Sequence, residues 1–253
     1  TALSFAFKHP KTGLKETVAK ALKWYIGSVK GIDFGRCCLM VVKYEGDRAA
    51  FRNMRRGVSA IYRKHRGVCL GPEPGRSFAE AKFDFPHLRD YVMDRNIMAD
   101  VSETATTWTN LLPLYEDSLA AIDRAICNTG VASWVGCHIS HSYPTGASLY
   151  FTFGCLQRAG REIEQYLHIK KAAEDAFMKN GGTLSHHHAV GTEHLPWVEE
   201  DVSPTGLKAV RAVKEGLDPR GIMNPGKIIP PADPLKAWGL SGEALGRFTG
   251  SGQ

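Results

Sequence analysis

Three consecutive histidines lie inside the chain, in Gly181-Gly182-Thr183-Leu184-Ser185-His186-His187-His188-Ala189. Imidazole is the side chain that exchanges protons near neutral pH. An internal triplet beside two glycines is not a purification tag, and it points to chemistry more than to packing. By residue type alone it also reads as an exposed polar turn. In an extended segment His186 and His188 share a face and His187 opposes them. One or two of the rings can then bind phosphate or shuttle protons. A metal would need ligands from elsewhere. His138, His141 and His194 are available, but no fixed spacing such as His-Glu-x-x-His is present, so no metal is expected.

Two further residue types fit the same chemistry. Tyr150 lies in Gly146-Ala147-Ser148-Leu149-Tyr150-Phe151-Thr152-Phe153. Alternation along a strand places it with Ser148 and Thr152, and turns Leu149, Phe151 and Phe153 to the core. A tyrosine on the polar face can act as a general acid or base if cationic neighbours tune it; the plain alternative is an amphipathic residue at a sheet surface. Arg89 presents a rigid fork suited to phosphate or carboxylate, and otherwise reads as a surface partner of Asp90 or Asp94. A site built from these groups requires the phenol, the guanidinium and the imidazoles to converge on one cavity.

The elements that position them follow from periodicity. Residues 12–29 predict a helix through Leu14, Val18, Leu22 and Ile26. The run 37–42 reads as a buried strand and 67–70 as a short one. Between them Asp47 caps a helix with Phe51, Met54, Val58 and Ile61 on one face. Its other faces carry Arg48, Arg52, Arg55, Arg56, Arg63 and Lys64, either a solvated basic surface or one that meets anionic membrane or a partner. Residues 77–95 are irregularly helical. A strand runs from Met98 to about Trp108, and a helix follows through Leu111, Tyr115, Leu119, Ile122 and Ile126. Strands 132–140 and 147–155 form a hairpin across Tyr143-Pro144-Thr145-Gly146. A helix through Ile163, Leu167, Ala173 and Phe177 stops at Gly181-Gly182. One more helix follows, and residues 217–227 form a tight turn. The pattern is α+β, an antiparallel sheet covered by helices.

With 253 residues and 43% hydrophobic content, the chain can bury a sizeable core in one domain or two lobes. No apolar run is long enough for a transmembrane helix, and no secretory signal opens the chain. It lacks an initiator methionine, which implies a fragment or a processed product. Six cysteines without a Cys-x-x-Cys pair argue against a disulfide framework or zinc ribbon and for a reducing compartment. The net charge of +6 suits acidic small molecules, phosphate groups or anionic lipid, and no motif supports nucleic acid.

Taken in order, Glu45-Gly46-Asp47, Leu88-Arg89-Asp90, Ser102-Glu103-Thr104, Trp108, the Gly-Ala-x-x-Tyr-Phe strand, Gly-Gly-Thr-Leu-Ser-His-His-His and the terminal Asp-Pro turn resemble one family. It is the alkyl-dihydroxyacetone-phosphate synthase family, C-terminal half, within the FAD-linked superfamily typified by vanillyl-alcohol oxidase. The resemblance covers about residues 3 to 230. It implies exchange of the acyl group of acyl-dihydroxyacetone phosphate for a fatty alcohol, a step of ether lipid synthesis, with FAD as cofactor. By position it implies that Tyr150 moves a substrate proton, that Arg89 contacts the substrate phosphate, and that His186, His187 and His188 are needed for activity.

It further implies a connecting helix region at 1–36, a substrate-binding cap at 37–180 and a segment at 181–253 that returns to the FAD domain. The main FAD loops precede the region present here, which leaves Asn224 as the one candidate cofactor contact; the chain alone is expected to bind FAD poorly. Peripheral membrane association and a homodimer are compatible with this reading. The chain ends in no peroxisomal signal, which points to a bacterial, cytoplasmic or membrane-peripheral enzyme, a eukaryotic one being peroxisomal. The rival enzyme is an FAD-linked D-2-hydroxy-acid dehydrogenase of the lactate or glycolate type. Those carry a His-x-Gly-Asp-Gly-Asn-x-His metal motif on the hairpin and Glu-His-Gly after the last cap helix; here the hairpin lacks the acid and His187-His188-Ala189 replaces Glu-His-Gly. A catalytically idle module holding a phospholipid-like ligand is the other alternative.

Overall fold

The computed structural model describes residues 14–35, 37–81, 83, 85–231 and 238. Residues 1–86 and 87–253 form two compact units.

In the first unit, α1 (Leu14–Trp24) runs on as a π-helical turn, Tyr25–Val29, and is followed by α2 (Arg48–Lys64) and α3 (Glu73–Ala81). Asp47 starts α2 as its sequence predicts: Oδ1 accepts from the amides of Ala49 at 2.7 Å and Ala50 at 2.9 Å. No residue of α2 is buried. Its apolar stripe stays open, with Phe51 40%, Met54 39% and Ile61 62% exposed. The expected strands at 37–42 and 67–70 are not strands. An apolar run becomes a strand only where a ladder accepts its backbone, and no described residue of this unit lies in a strand. Met40, Val41 and Val42 are exposed, which also overturns the expectation that this run is buried.

Helix α4 (Phe85–Met93) leads to β1 (Ile97–Thr107), α5 (Leu111–Asn128), β2 (Ser133–Ser142), β3 (Gly146–Leu156), α6 (Glu162–Lys179), a 3-10 turn (Leu195–Trp197) and α7 (Val198–Leu217). The three strands form one antiparallel sheet in the order β1-β3-β2. On one face α5 and α6 pack Leu114, Ile122, Ile126, Ile169, Ala173 and Phe177 against Leu149, Phe151 and Phe153. The predicted alternation of β3 therefore holds, with Tyr150 turned away from the core. Each fully buried side chain of this kind is worth about 1.5–3 kcal/mol relative to exposure. A smaller cluster of Leu184, Trp197, Val198 and Leu207 sits where α7 begins.

Two glycines let chain segments pass closely. A Cβ at Gly146 would run into the Thr106 carbonyl, and one at Gly182 into the Thr104 hydroxyl. At Gly182 the chain leaving α6 lies flat along β1. Thr183 donates its amide to Ala105 O at 3.0 Å and accepts from Thr104 Oγ1 at 2.7 Å. Its own hydroxyl accepts from the Ala105 amide at 3.0 Å. Asn110 Nδ2 secures the end of α6 through the carbonyl of its C-cap, Asn180 O, at 2.6 Å. The histidine triplet therefore emerges from a segment strapped to the edge strand.

Candidate functional site

The open face of the sheet is read off its register. Tyr150 stands opposite Glu103 on β1 and opposite His138 on β2. Successive residues of a strand alternate, so all three point away from the helices. The strapped segment then bends, with the His188 amide donating to Ser185 Oγ at 3.1 Å. The segment is therefore not extended, and the condition under which the rings would oppose one another does not hold. All three imidazoles gather on Glu103: His187 Nδ1 at 2.7 Å from Oε2, His186 Nδ1 at 3.5 Å from Oε1 and His188 Nε2 at 3.6 Å from Oε2.

Glu103 is buried to 1% exposure. Its Oε1 accepts from Ser140 Oγ at 3.0 Å, while Oε2 accepts no hydrogen bond among the described residues. The neighbouring rings complete an aromatic patch. His138 lies 4.9 Å from Tyr150 and His188 lies 5.5 Å from it, edge to face. His141 lies 4.9 Å from His186, whose Nε2 is 2.9 Å from the Tyr143 hydroxyl.

The electrostatics define the proton states this face can offer. Burial raises the Tyr150 phenol above its ordinary value, and the Glu103 and Asp100 charges add to that. No cation tunes it downward, contrary to the arrangement that would make it a base. Tyr150 is a proton donor at neutral pH. Burial lowers His138 and His188 against the opposing pull of Glu103, so both rings favour the neutral, proton-accepting form.

Arg89 stands apart from this cluster. Its guanidinium lies 3.8 Å from Asp100 Oδ1 rather than beside Asp90 or Asp94. Asp100 and His188 both line a hollow of ≈ 310 Å³, together with Val101, Val190, Glu193 and His194. Arg89 does not line it and meets it only through Asp100, while the imidazoles and phenol form the cluster proper. Beneath the hollow, Lys170 of α6 is buried and bonds Val101 O at 2.6 Å, Ser102 Oγ at 2.7 Å and Glu193 Oε1 at 2.6 Å. Tyr166 donates to Glu193 Oε2 at 2.9 Å, and His194 Nε2 lies 3.6 Å from the buried Glu174.

Residues 13–228 match the family described as FAD linked oxidases, C-terminal domain. The chain belongs to that family. Alkyldihydroxyacetonephosphate synthase of Dictyostelium discoideum is 36% identical over 230 residues, 91% of this chain and 38% of that protein. The synthase of Trypanosoma brucei brucei is 34% identical over the same share of each. A solved alkyldihydroxyacetonephosphate synthase structure superposes with a TM-score of 0.61 at 30% identity, covering 88% of this chain and 38% of that one. The chain thus spans under two fifths of the length of these relatives.

FAD is the cofactor of this family, and the described residues can be tested against it. The open face suits a planar ring: beside Tyr150 lie Thr152, Gly136 and Gly154, the glycines keeping the sheet surface low, with the half-exposed Trp134 next to them. The residues present fit the ring end of the cofactor. Asn224, in the terminal turn with φ of 45°, is exposed and makes no contact with this face among the described bonds.

Glu103, Asp100, Lys170 and Glu193 are the residues that periodicity and motif did not single out as functional. Two acids in mid-strand are a usable signal, because strand interiors disfavour them unless a partner waits. Lys170 and Glu174 share the apolar stripe of α6 with Phe177, at three- and four-residue steps, which also marks buried charge.

Proposed function

We propose that the chain is the catalytic cap of an FAD-dependent transferase that exchanges the acyl group of acyl-dihydroxyacetone phosphate for a fatty alcohol. The observation that supports it is the gathering of Tyr150, His138 and His188 around one buried carboxylate, beside a hollow whose Asp100 pairs with Arg89. The ester C–O bond at the dihydroxyacetone carbon breaks, the alcohol oxygen bonds to that carbon, and fatty acid leaves with the alcohol proton released. Tyr150 holds the proton delivered to and recovered from the substrate carbon region. The neutral rings of His138 and His188 accept protons in turn, and Arg89 draws in the phosphate. Bound FAD supplies an electron-accepting ring that Tyr150 and Thr152 would face. The β2–β3 hairpin carries no carboxylate, which disfavours the hydroxy-acid dehydrogenase reading. Incubating the flavin-loaded protein with labelled hexadecanol and acyl-dihydroxyacetone phosphate should give labelled alkyl product and free fatty acid. Lactate- or glycolate-dependent dye reduction without labelled ether would refute the assignment.

Such substrates reside in lipid, and α2 is suited to meet it. Between Arg48 and Lys64 there are six cations and no acid, as many charges as the whole chain's net +6. An exposed apolar stripe beside a basic face is the pattern of an interfacial helix. The protein should co-sediment with vesicles containing anionic phosphatidylglycerol, and binding should fall steeply with added salt. Arg52→Glu with Arg56→Glu should cut it ~10-fold or more, at about 1 kcal/mol per basic residue near the surface. Equal binding to neutral phosphatidylcholine vesicles would remove α2 from this role.

A further inference from the structure

We propose that Glu103, His141, His186 and His187 form a binding site for a divalent first-row transition ion, with Zn²⁺ the best match. One ligand atom from each lies within 4.8 Å of every other. A tetrahedral ion with ligands at about 2.0–2.1 Å separates its donors by roughly 3.3 Å. His186 Nδ1 and His187 Nδ1 stand 3.2 Å apart, and His186 Nδ1 stands 3.5 Å from Glu103 Oε1. The set is nearly closed, and small ring rotations would complete it.

A second observation points to a cation independently. Glu103 is fully buried, and Oε2 faces His187 Nδ1 at 2.7 Å without the direction of a hydrogen bond. A buried carboxylate oxygen without a protein donor is costly. No lysine or arginine pairs with Glu103 among the described ion pairs; its neighbours are all imidazoles, the usual partners of Zn²⁺. The outer contacts suit a liganded state. Ser140 Oγ holds Oε1 and the Tyr143 hydroxyl meets His186 Nε2, leaving Nδ1 of that ring to face the cluster. His141 and His187 are exposed enough to admit an ion.

The group Glu174, Glu193 and His194 lies within the same distance but fails this test, because Lys170 Nζ already sits 2.6 Å from Glu193. The proposal departs from the sequence expectation of no metal, which rested on spacing; the carboxylate comes from β1, far from any histidine in the chain. It is independent of the transferase reading, since it is tested without substrate.

The chain is stripped with chelator, dialysed and titrated with Zn²⁺ by calorimetry, and with Co²⁺ by visible absorption. One equivalent should bind, and Co²⁺ should develop the intense bands of a four-coordinate ion. Glu103→Gln, which keeps the shape and the Ser140 contact, and His187→Ala should each weaken binding ~100-fold or more, beyond the ~10–100-fold of an outer-contact loss. His65→Ala, in the first unit, should change nothing. If Glu103→Gln fails to fold by circular dichroism, His141→Ala and His187→Ala decide, since both rings are at the surface. No stoichiometric binding, or binding that survives both histidine changes, overturns the site.

Discussion

Tyr150→Phe should lower alkyl exchange by ~10²–10⁴-fold, the usual worth of a positioned proton-transfer group, while flavin content and melting temperature stay close to wild type. The phenyl ring keeps the packing against His138 and His188, and no hydrogen bond of the phenol is lost among the described contacts. The effect is therefore chemical and not structural. Because burial and two nearby carboxylates raise the phenol above its ordinary 10.0, its ionisation should appear as an alkaline limb beyond that value in wild type. The limb should be absent from the residual activity of the variant. Steady-state rates across pH on flavin-loaded protein would check both points. A variant within threefold of wild type would show that Tyr150 only packs.

The second large effect is on stability. Lys170→Met should cost about 3 kcal/mol, the low end for removing one partner of a buried ion pair, because Glu193 is a third exposed. The ammonium is 1% exposed and holds three oxygens on two segments, β1 and the loop carrying Glu193. Methionine fills the space but removes the ammonium, leaving Glu193 and Glu174 to share His194, at 3.4 and 3.6 Å. At roughly 2–4 °C per kcal/mol, a melting point about 10 °C lower is expected. The pH dependence has a definite sign. Burial pushes Glu193 upward, but Lys170 more than offsets it, so its carboxyl is lowered from 4.5. Its stabilisation is complete above the unfolded value of about 4.5 and is lost as pH falls through the lowered one. The gap between wild type and Lys170→Met should therefore shrink in acid below that point. Urea unfolding at neutral pH and in mild acid would test it, and a neutral-pH loss under 1 kcal/mol would count against the clamp.

These two residues show what a linear chain discloses. Tyr150 was legible because a period of two, Leu149, Phe151 and Phe153 against Ser148, Tyr150 and Thr152, separates core from surface without any contact information. The α+β layering, the hairpin and the capped start of α2 were legible for the same local reasons. Glu103 was not, because its importance comes from a register: it faces Tyr150 across 46 positions only once β1 and β3 pair. The convergence of the triplet's rings is not legible locally, because it depends on the bend that the Ser185 hydroxyl holds through the His188 amide. The runs at 37–42 and 67–70 have strand composition, yet composition cannot supply a ladder. Arg89 pairs with Asp100 and not with Asp90 or Asp94, because β1 lies closer in space than sequence reach along α4 suggests.

Asp100, Ser102 and Glu103 belong to one short stretch of β1, two turned to the helix layer and one to the solvent-side rings. Loosening of α6 should disturb the carboxylate that organises the imidazoles, because Lys170 of that helix holds Val101 O and Ser102 Oγ beside it. Heating should thus extinguish the proposed transfer several degrees before the far-ultraviolet signal of the helices declines. The proposed activity would then have a thermal ceiling set by the stiffness of a single edge ribbon and not by global melting.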